Sequence, residues 1–105
     1  MKANVLGQDY DILIDETLKD RGRDGECLMY EKKIHIKHVQ DMLEPEASMS
    51  SKVTSWNETL RHELIHAFFF ESGLIEYGGD ETLVDFIAQQ FPKLQQIFND
   101  AGCLM

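Results

Sequence analysis

Residues 56–72 read WNETLRHELIHAFFFES and have a continuous helical pattern. Leu60, Leu64 and Ala67 recur every three or four residues, which gives a helix one apolar face. Gly73 follows directly, and glycine commonly ends a helix because it adopts a left-handed conformation without strain. The sequence therefore predicts a helix over residues 56–72, and we expect the rest of the fold to pack on its apolar face.

The start of this helix is less sharply marked than its end. Ser55 and Glu58 have the spacing of a capping box, which favours a first helical residue at Trp56. An earlier start stays open, because Met49 and Val53 continue the same helical spacing towards the N-terminus.

A second helix is predicted after a glycine-rich turn. Asp80 can cap it, and the apolar spacing runs through Leu83 and Ile87 to Phe98. Pro92 lacks a backbone N–H, so we expect it to kink or split this helix near its middle.

The first third of the chain has the pattern of strands instead. Tyr10, Ile12 and Ile14 alternate with Asp11 and Asp15. Residues 27–30 and 33–37 form two short runs around a tight polar turn. We expect an α+β fold in which a small antiparallel sheet of about three strands packs on two main helices. Residues 1–105 are expected to form a single domain.

The pentapeptide HELIH at residues 62–66 carries the chemistry. Positions four apart lie on one face of a helix, so His62 and His66 can bind one metal ion, and imidazole is a good ligand for zinc. Glu63 is placed to take a proton from a water on the open side of the metal and to deliver it to a leaving amine.

A third ligand is expected from the second helix, which begins DETLVD at residues 80–85. Glu81 and Asp85 project from one face of that helix, and the glycine-rich turn allows it to fold back towards the two histidines. We expect Glu81 to bind the metal and Asp85 to accept a hydrogen bond from a ligand imidazole. Asp85 as the third ligand is the alternative.

HELIH followed by DETLVD resembles the gluzincin metallopeptidases, of which thermolysin is a familiar member. In that family a downstream NExxxD-type helix supplies a glutamate ligand and an aspartate behind a histidine, so the resemblance implies these roles for Glu81 and Asp85. Asp80 stands where the family often has asparagine. The stretch from residue 33 onwards is also similar to the small ImmA-like metallopeptidases of phages and mobile elements. The subdomain that carries an oxyanion-stabilising His or Tyr in the family has no clear counterpart here.

This resemblance implies a zinc-dependent metallopeptidase that hydrolyses a peptide or a flexible protein segment. We expect residues 33–37 to be an edge strand that binds such a segment by strand addition. Two alternatives stay open: a zinc-binding interaction module without catalytic activity, and a hydrolase of a non-peptide amide or ester.

Several other residues lie outside the expected ligand set. Tyr77 precedes the second helix and could stabilise the oxyanion of a tetrahedral intermediate. The three aromatic residues 68–70 point in different directions on a helix, so we expect mostly core or dimer contacts. His35 and His38 lie outside any ligand spacing, and burial is the simplest explanation for Cys27.

Composition narrows the possible partners and location. Ten basic and nineteen acidic residues give a net charge of −9, which argues against binding to nucleic acid or to an anionic membrane. No stretch is long and apolar enough for a transmembrane helix, and the N-terminus lacks the features of a signal peptide. Because neither cysteine has a metal-binding or disulfide-like spacing, we expect a cytoplasmic protein. The oligomeric state does not follow from the sequence.

Overall fold

The structure is a computed structural model that describes all 105 residues of the chain. It contains four strands and three α-helices, together with short 3₁₀ segments at Glu16–Arg21 and Val39–Asp41. In chain order the elements are β1 (Lys2–Val5), β2 (Gln8–Ile14), β3 (Gly25–Leu28), β4 (Lys33–Ile36), α1 (Met49–Ser72), α2 (Ile75–Gly78) and α3 (Glu81–Ala101).

The predicted α+β fold class is confirmed, and the details of the sheet differ from the expectation. The sheet has four strands in the order β1-β2-β4-β3, not about three. It is mixed rather than antiparallel, because β2 and β4 run in the same direction while the outer pairs are antiparallel. β3 and a 3₁₀ segment separate β2 from β4 in sequence, and this crossover makes a parallel pairing possible.

The prediction that residues 33–37 form a free edge is wrong. β4 lies inside the sheet, between β2 and β3, so its backbone groups are paired on both sides. The edge on this side of the sheet belongs to β3, which pairs with β4 alone. Any strand addition at this edge has to involve β3.

The core lies between the sheet and α1. Tyr10 and Ile12 of β2, together with Ile34 and Ile36 of β4, are buried and pack in one cluster with Ala67 of α1. This follows the alternation that the sequence predicts, except that Ile14 at the end of β2 is half exposed. Each buried isoleucine stabilises the fold by roughly 1.5–3 kcal/mol when it leaves water. The core therefore fixes α1 across the middle of the sheet.

A polar contact also ties α1 to the sheet. The hydroxyl of Tyr10 donates a hydrogen bond to Glu71 of α1, and Lys32 forms an ion pair with the same carboxylate. Both hydrogen bonds lower the pKa of Glu71 below its ordinary value, and the one from Lys32 has the larger effect. The C-terminal end of α1 is thereby held in place next to β2.

The predicted capping box at Ser55 is wrong, because α1 begins earlier, at Met49. Ser48 is the cap: its hydroxyl accepts a hydrogen bond from the backbone N–H of Ser51 at 3.1 Å. Lys52, in the first helical turns, donates to the carbonyl of Gln40 at 2.9 Å, which fixes this end of the helix to the preceding segment. The end predicted at Gly73 is confirmed, with a φ of 84°.

α3 begins where predicted but is not split. Asp80 caps it by accepting from the N–H of Leu83 at 3.1 Å. The helix continues through Pro92 to Ala101 as one element. A proline at position 92 leaves the carbonyl of Ala88 without its helical partner, and Arg61 of α1 donates its Nε–H to that oxygen at 2.7 Å. The hydrogen bond from Arg61 thus replaces the one that proline removes.

None of these helices combines the length and the apolar character that crossing a membrane requires.

Candidate metal centre

α1 and α3 bring two imidazole nitrogens and one carboxylate group into a small triangle. The Nε2 atoms of His62 and His66, one helical turn apart on α1, are 3.1 Å from each other. Glu81, in the first turn of α3, places one carboxylate oxygen 3.0 Å from Nε2 of His62 and the other 2.9 Å from Nε2 of His66. The structure thus brings together the two histidines and the glutamate that the sequence analysis singled out.

The triangle has nearly the dimensions that a tetrahedral metal requires. Ligand atoms about 2.0–2.1 Å from a tetrahedral ion are ~3.3 Å apart. The two Nε2 atoms are 3.1 Å apart, and each lies 2.9–3.0 Å from a different oxygen of Glu81, so these distances are only slightly shorter. The Glu81 side chain is 68% exposed, so few contacts oppose its adjustment around an ion.

Each imidazole is oriented by a hydrogen bond on its other nitrogen. Nδ1 of His62 lies 2.9 Å from a carboxylate oxygen of Asp85, and Nδ1 of His66 lies 2.7 Å from the carbonyl oxygen of Gly78. A carbonyl oxygen can only accept, and an ionised carboxylate behaves in the same way, so both Nδ1 atoms donate. In the neutral rings the proton is therefore on Nδ1, and the lone pair of each Nε2 points into the triangle.

This arrangement has an electrostatic consequence. Two imidazole lone pairs and the carboxylate of Glu81 face one another at hydrogen-bond distance, and all three are acceptors. Three acceptors repel one another unless a proton or a cation lies between them. The set of donors, their spacing and the hydrogen bonds behind His62 and His66 fit a divalent metal with nitrogen and oxygen ligands.

Glu63 lies beside the triangle and is not one of its corners. Its side chain is mostly buried, and its carboxylate has no hydrogen-bond or ion-pair partner within the protein, so the carboxylate oxygens face solvent in the site and are not enclosed in the core. Burial is the main reason that the pKa of Glu63 is raised to about 7; a protonated His62 would oppose this shift, and the carboxylate of Glu81 adds to it. A carboxyl group with such a pKa can both take up and release a proton near neutral pH.

β3 passes very close to Glu63. A Cβ atom on Gly25, the first residue of β3, would lie 3.1 Å from Cγ2 of Thr59 and 3.2 Å from Cγ of Glu63. Only glycine leaves room for the edge strand to approach α1 this closely. Gly25 therefore sets the distance between the edge of the sheet and the Glu63 carboxylate.

A polar cavity of about 420 Å³ opens over the triangle, and none of its lining residues is hydrophobic. Its walls are the loop at residues 22–25, the face of α1 from Ser55 to His66 and the first turn of α3. Arg23 is the one basic residue in this lining. No carboxylate forms an ion pair with Arg23, although its charge reaches Glu63 and opposes the rise in that residue's pKa.

The remaining candidates lie away from the triangle. Tyr77 does not line the cavity; its ring is more than half exposed and lies 6.3 Å, between centroids, from the ring of Phe69. His35 pairs with Asp15 at 2.8 Å, and His38 caps the second 3₁₀ segment, so neither approaches the metal centre. Burial raises the pKa of Cys27 to about 12, in keeping with the expected structural role of this thiol.

Three contributors to this site were not identified from the sequence. Gly78 orients His66 through a backbone carbonyl, which no side-chain pattern can reveal. Arg23 and Gly25 belong to the segment GRDG, which reads as an ordinary polar turn. The one available signal was the unusual pair of glycines around Arg23, immediately before a strand.

Comparison of the chain with protein-family models, with curated proteins and with solved structures found no match in any of the three.

Proposed function

We propose that this protein is a zinc-dependent metallopeptidase of the gluzincin type. One observation carries the proposal: His62, His66 and Glu81 converge on one point, with the unpaired carboxylate of Glu63 beside it. Two imidazoles and one carboxylate leave a position free for water or substrate on a tetrahedral ion, as catalytic zinc sites require.

The metal would supply one part of the chemistry, because zinc lowers the pKa of a water to about 7 and polarises a carbonyl group. The chain supplies the rest. Glu63 takes a proton from the attacking water and delivers it to the nitrogen of the scissile amide, which then leaves as an amine. Asp85 and Gly78 keep the two imidazoles in the orientation that binding requires.

Arg23 supports hydrolysis from the opposite wall of the cavity. Negative charge develops on the carbonyl oxygen of the substrate as the tetrahedral intermediate forms, and a fixed cation nearby lowers the energy of that state. Arg23 is cationic, unpaired and part of the cavity lining, whereas Tyr77 lies outside it. We therefore propose Arg23 for the role that the sequence analysis gave to Tyr77.

The substrate of this proposal is a peptide or a flexible protein segment. β3 is an edge strand, and its first residue lies against Glu63, so a segment added to β3 would pass over the metal centre. The net charge of −9 and two free cysteines are consistent with action on protein in the reducing cytoplasm, away from nucleic acid and membranes.

Glu63→Gln tests the mechanism, because it keeps the shape of the side chain and removes its ability to take a proton. Zinc-loaded protein and the variant are incubated with an unfolded, carboxymethylated protein, and fragments are identified by mass spectrometry. We expect the variant to retain zinc and to lose hydrolysis by about 10²–10⁴-fold. Equal fragment yields from both proteins would contradict the role of Glu63. A wild-type protein that binds zinc without producing fragments would instead support an interaction module.

A further inference from the structure

The last part of α3 projects away from the rest of the molecule. Every residue from 91 to 101 is exposed, although the helix continues without interruption to Ala101. A helical segment of this length is marginal in water unless one face packs against something. The segment nevertheless carries a continuous apolar stripe formed by Phe91, Leu94, Ile97 and Phe98, which we call the α3 stripe.

An apolar groove of about 630 Å³ adjoins the start of the α3 stripe. It lies between α3, the far side of α1 and the β1–β2 turn, and Phe91, Phe68 and Leu6 are part of its lining. This groove shares no residue with the cavity over the metal centre. A partner bound here would leave the metal centre open.

The β1–β2 turn provides a second observation. Leu6 and Gly7 both have positive φ values, 51° and 93°, in a two-residue hairpin turn. Asparagine or glycine is usual at the first of these positions, because a leucine there is strained. Leu6 is also largely exposed, so within one copy of the chain it gains little burial to offset this strain.

We propose that the α3 stripe and the groove form the interface of a homodimer, with a second copy of this chain as the occupant. Charge favours a second copy over a basic partner, because residues 86–99 have no acidic side chain to attract a basic protein. The chain has a net charge of −9, so two copies repel each other wherever acidic surfaces meet. Residues 86–99 contain a single charge, that of Lys93, which makes this the part of the surface where two copies can approach.

The exposed apolar area is also of the right size. The six large side chains of the stripe and groove, Leu6, Phe68, Phe91, Leu94, Ile97 and Phe98, are each between 36 and 61% exposed. Together this is equivalent to about three whole side chains, on the order of 500 Å² of apolar surface. A standard interface covers ~800 Å² per partner, of which ~65% is apolar in homodimers, again on the order of 500 Å².

A twofold axis near Leu94 allows both copies to make the same contacts. Phe91 and Phe98 are seven residues apart, about 10.5 Å along the helix, and Leu94 lies midway between them. Two α3 helices that cross antiparallel at Leu94 place Phe98 of the second copy beside Phe91 of the first, at the mouth of the groove. The same contact repeats on the other side, as an isologous interface requires.

Sedimentation equilibrium at protein concentrations from 1 to about 200 μM tests the proposal. We expect a species of twice the 12.1 kDa chain mass to dominate at the upper end. Leu94→Glu should weaken association by at least about 100-fold, because the symmetry brings two charges into one interface. Gln89→Glu adds the same charge to a face of α3 outside the stripe and the groove and should leave association unchanged. Circular dichroism establishes that each variant is folded.

Leu6→Asn tests whether Leu6 contributes to the interface or only to the fold of its own chain. Asparagine suits the turn better than leucine, so the variant should melt at the same or a higher temperature at low protein concentration while its association weakens. A wild-type protein that stays monomeric at 200 μM would overturn the proposal and leave this face to a different protein. A dimer that survives both Leu94→Glu and Leu6→Asn would also overturn it, because the contact would then lie elsewhere.

Discussion

Glu81 and Asp85 lie on the same face of α3, and the structure predicts that their loss has different consequences. Glu81 touches both Nε2 atoms, at 3.0 and 2.9 Å, so Glu81→Ala removes one of three ligand groups. Asp85 touches only Nδ1 of His62, at 2.9 Å, so Asp85→Ala leaves all three ligand groups in place and frees one ring to rotate. The first substitution should nearly abolish zinc binding, and the second should only weaken it.

The size of the smaller effect can be stated. Loss of a residue that orients a ligand typically weakens metal affinity by about 10–100-fold, or ~1.4–2.7 kcal/mol. At a fixed excess of zinc, the free energy of unfolding of the variant falls by the same ~1.4–2.7 kcal/mol. For a domain of this size this corresponds to a melting temperature roughly 5–15 °C lower in zinc, with little change in the metal-free protein. Glu81→Ala should lose more than this.

Competition titration with a zinc chelator and melting curves with and without zinc provide the measurement. Glu76→Ala is the matched control, because it removes an exposed carboxylate from the neighbouring α2 that contacts neither histidine. A larger loss for Asp85→Ala than for Glu81→Ala would make Asp85 the ligand and remove the gluzincin assignment. Negligible effects of both substitutions would mean that the histidines find their third ligand elsewhere.

Three further substitutions test contacts near the metal centre and at the C-terminal end of α1. Gly25→Ala should lower turnover while zinc binding is retained, because the new Cβ would lie 3.2 Å from Cγ of Glu63. Zymography and zinc assays measure the two effects. Gly79→Ala is the control, because its new Cβ would have no contact closer than 3.6 Å. Arg23→Met should lower kcat by about 10²–10³-fold without loss of zinc, as measured on any peptide that the wild type cleaves. The pKa of Glu71 is lower in the folded protein than in the unfolded chain, where it is ~4.3, so the ionised carboxylate stabilises the fold above pH ~4.3. This contribution disappears as the pH falls through the lower folded pKa. Melting curves of Glu71→Gln between pH 7 and pH 2 should therefore show a weaker acid dependence than the wild type, and an identical dependence would contradict this role.

Local patterns predicted the two main helices, apart from the first two turns of α1, and most of the residues that face the core. The alternation in β2 and β4 follows the pleat of a strand, and Gly73 and Asp80 mark helix ends through local backbone geometry. The prediction that Glu81 meets the two histidines also depended on spacing, since two helices joined by a short turn must run back along each other.

The order of the strands and the neighbours of Glu63 could not be predicted in this way. Strand order depends on long-range pairing, and a run of four residues such as β4 has the same pattern inside a sheet as at its edge. The uninterrupted α3 depends on Arg61, which is 31 positions away from Pro92 in sequence, donating to the carbonyl that the proline leaves free. Contacts of this kind become visible only when the chain is folded.

The zinc content of the purified chain is the decisive measurement for this metal centre. Wild-type protein and His66→Ala are equilibrated with a small excess of zinc, freed of unbound metal and analysed by inductively coupled plasma mass spectrometry. We expect one zinc per wild-type chain and almost none in the variant, because two remaining ligand groups cannot hold the ion firmly. A wild-type protein without zinc, or a variant with full occupancy, would contradict a metal centre formed by His62, His66 and Glu81.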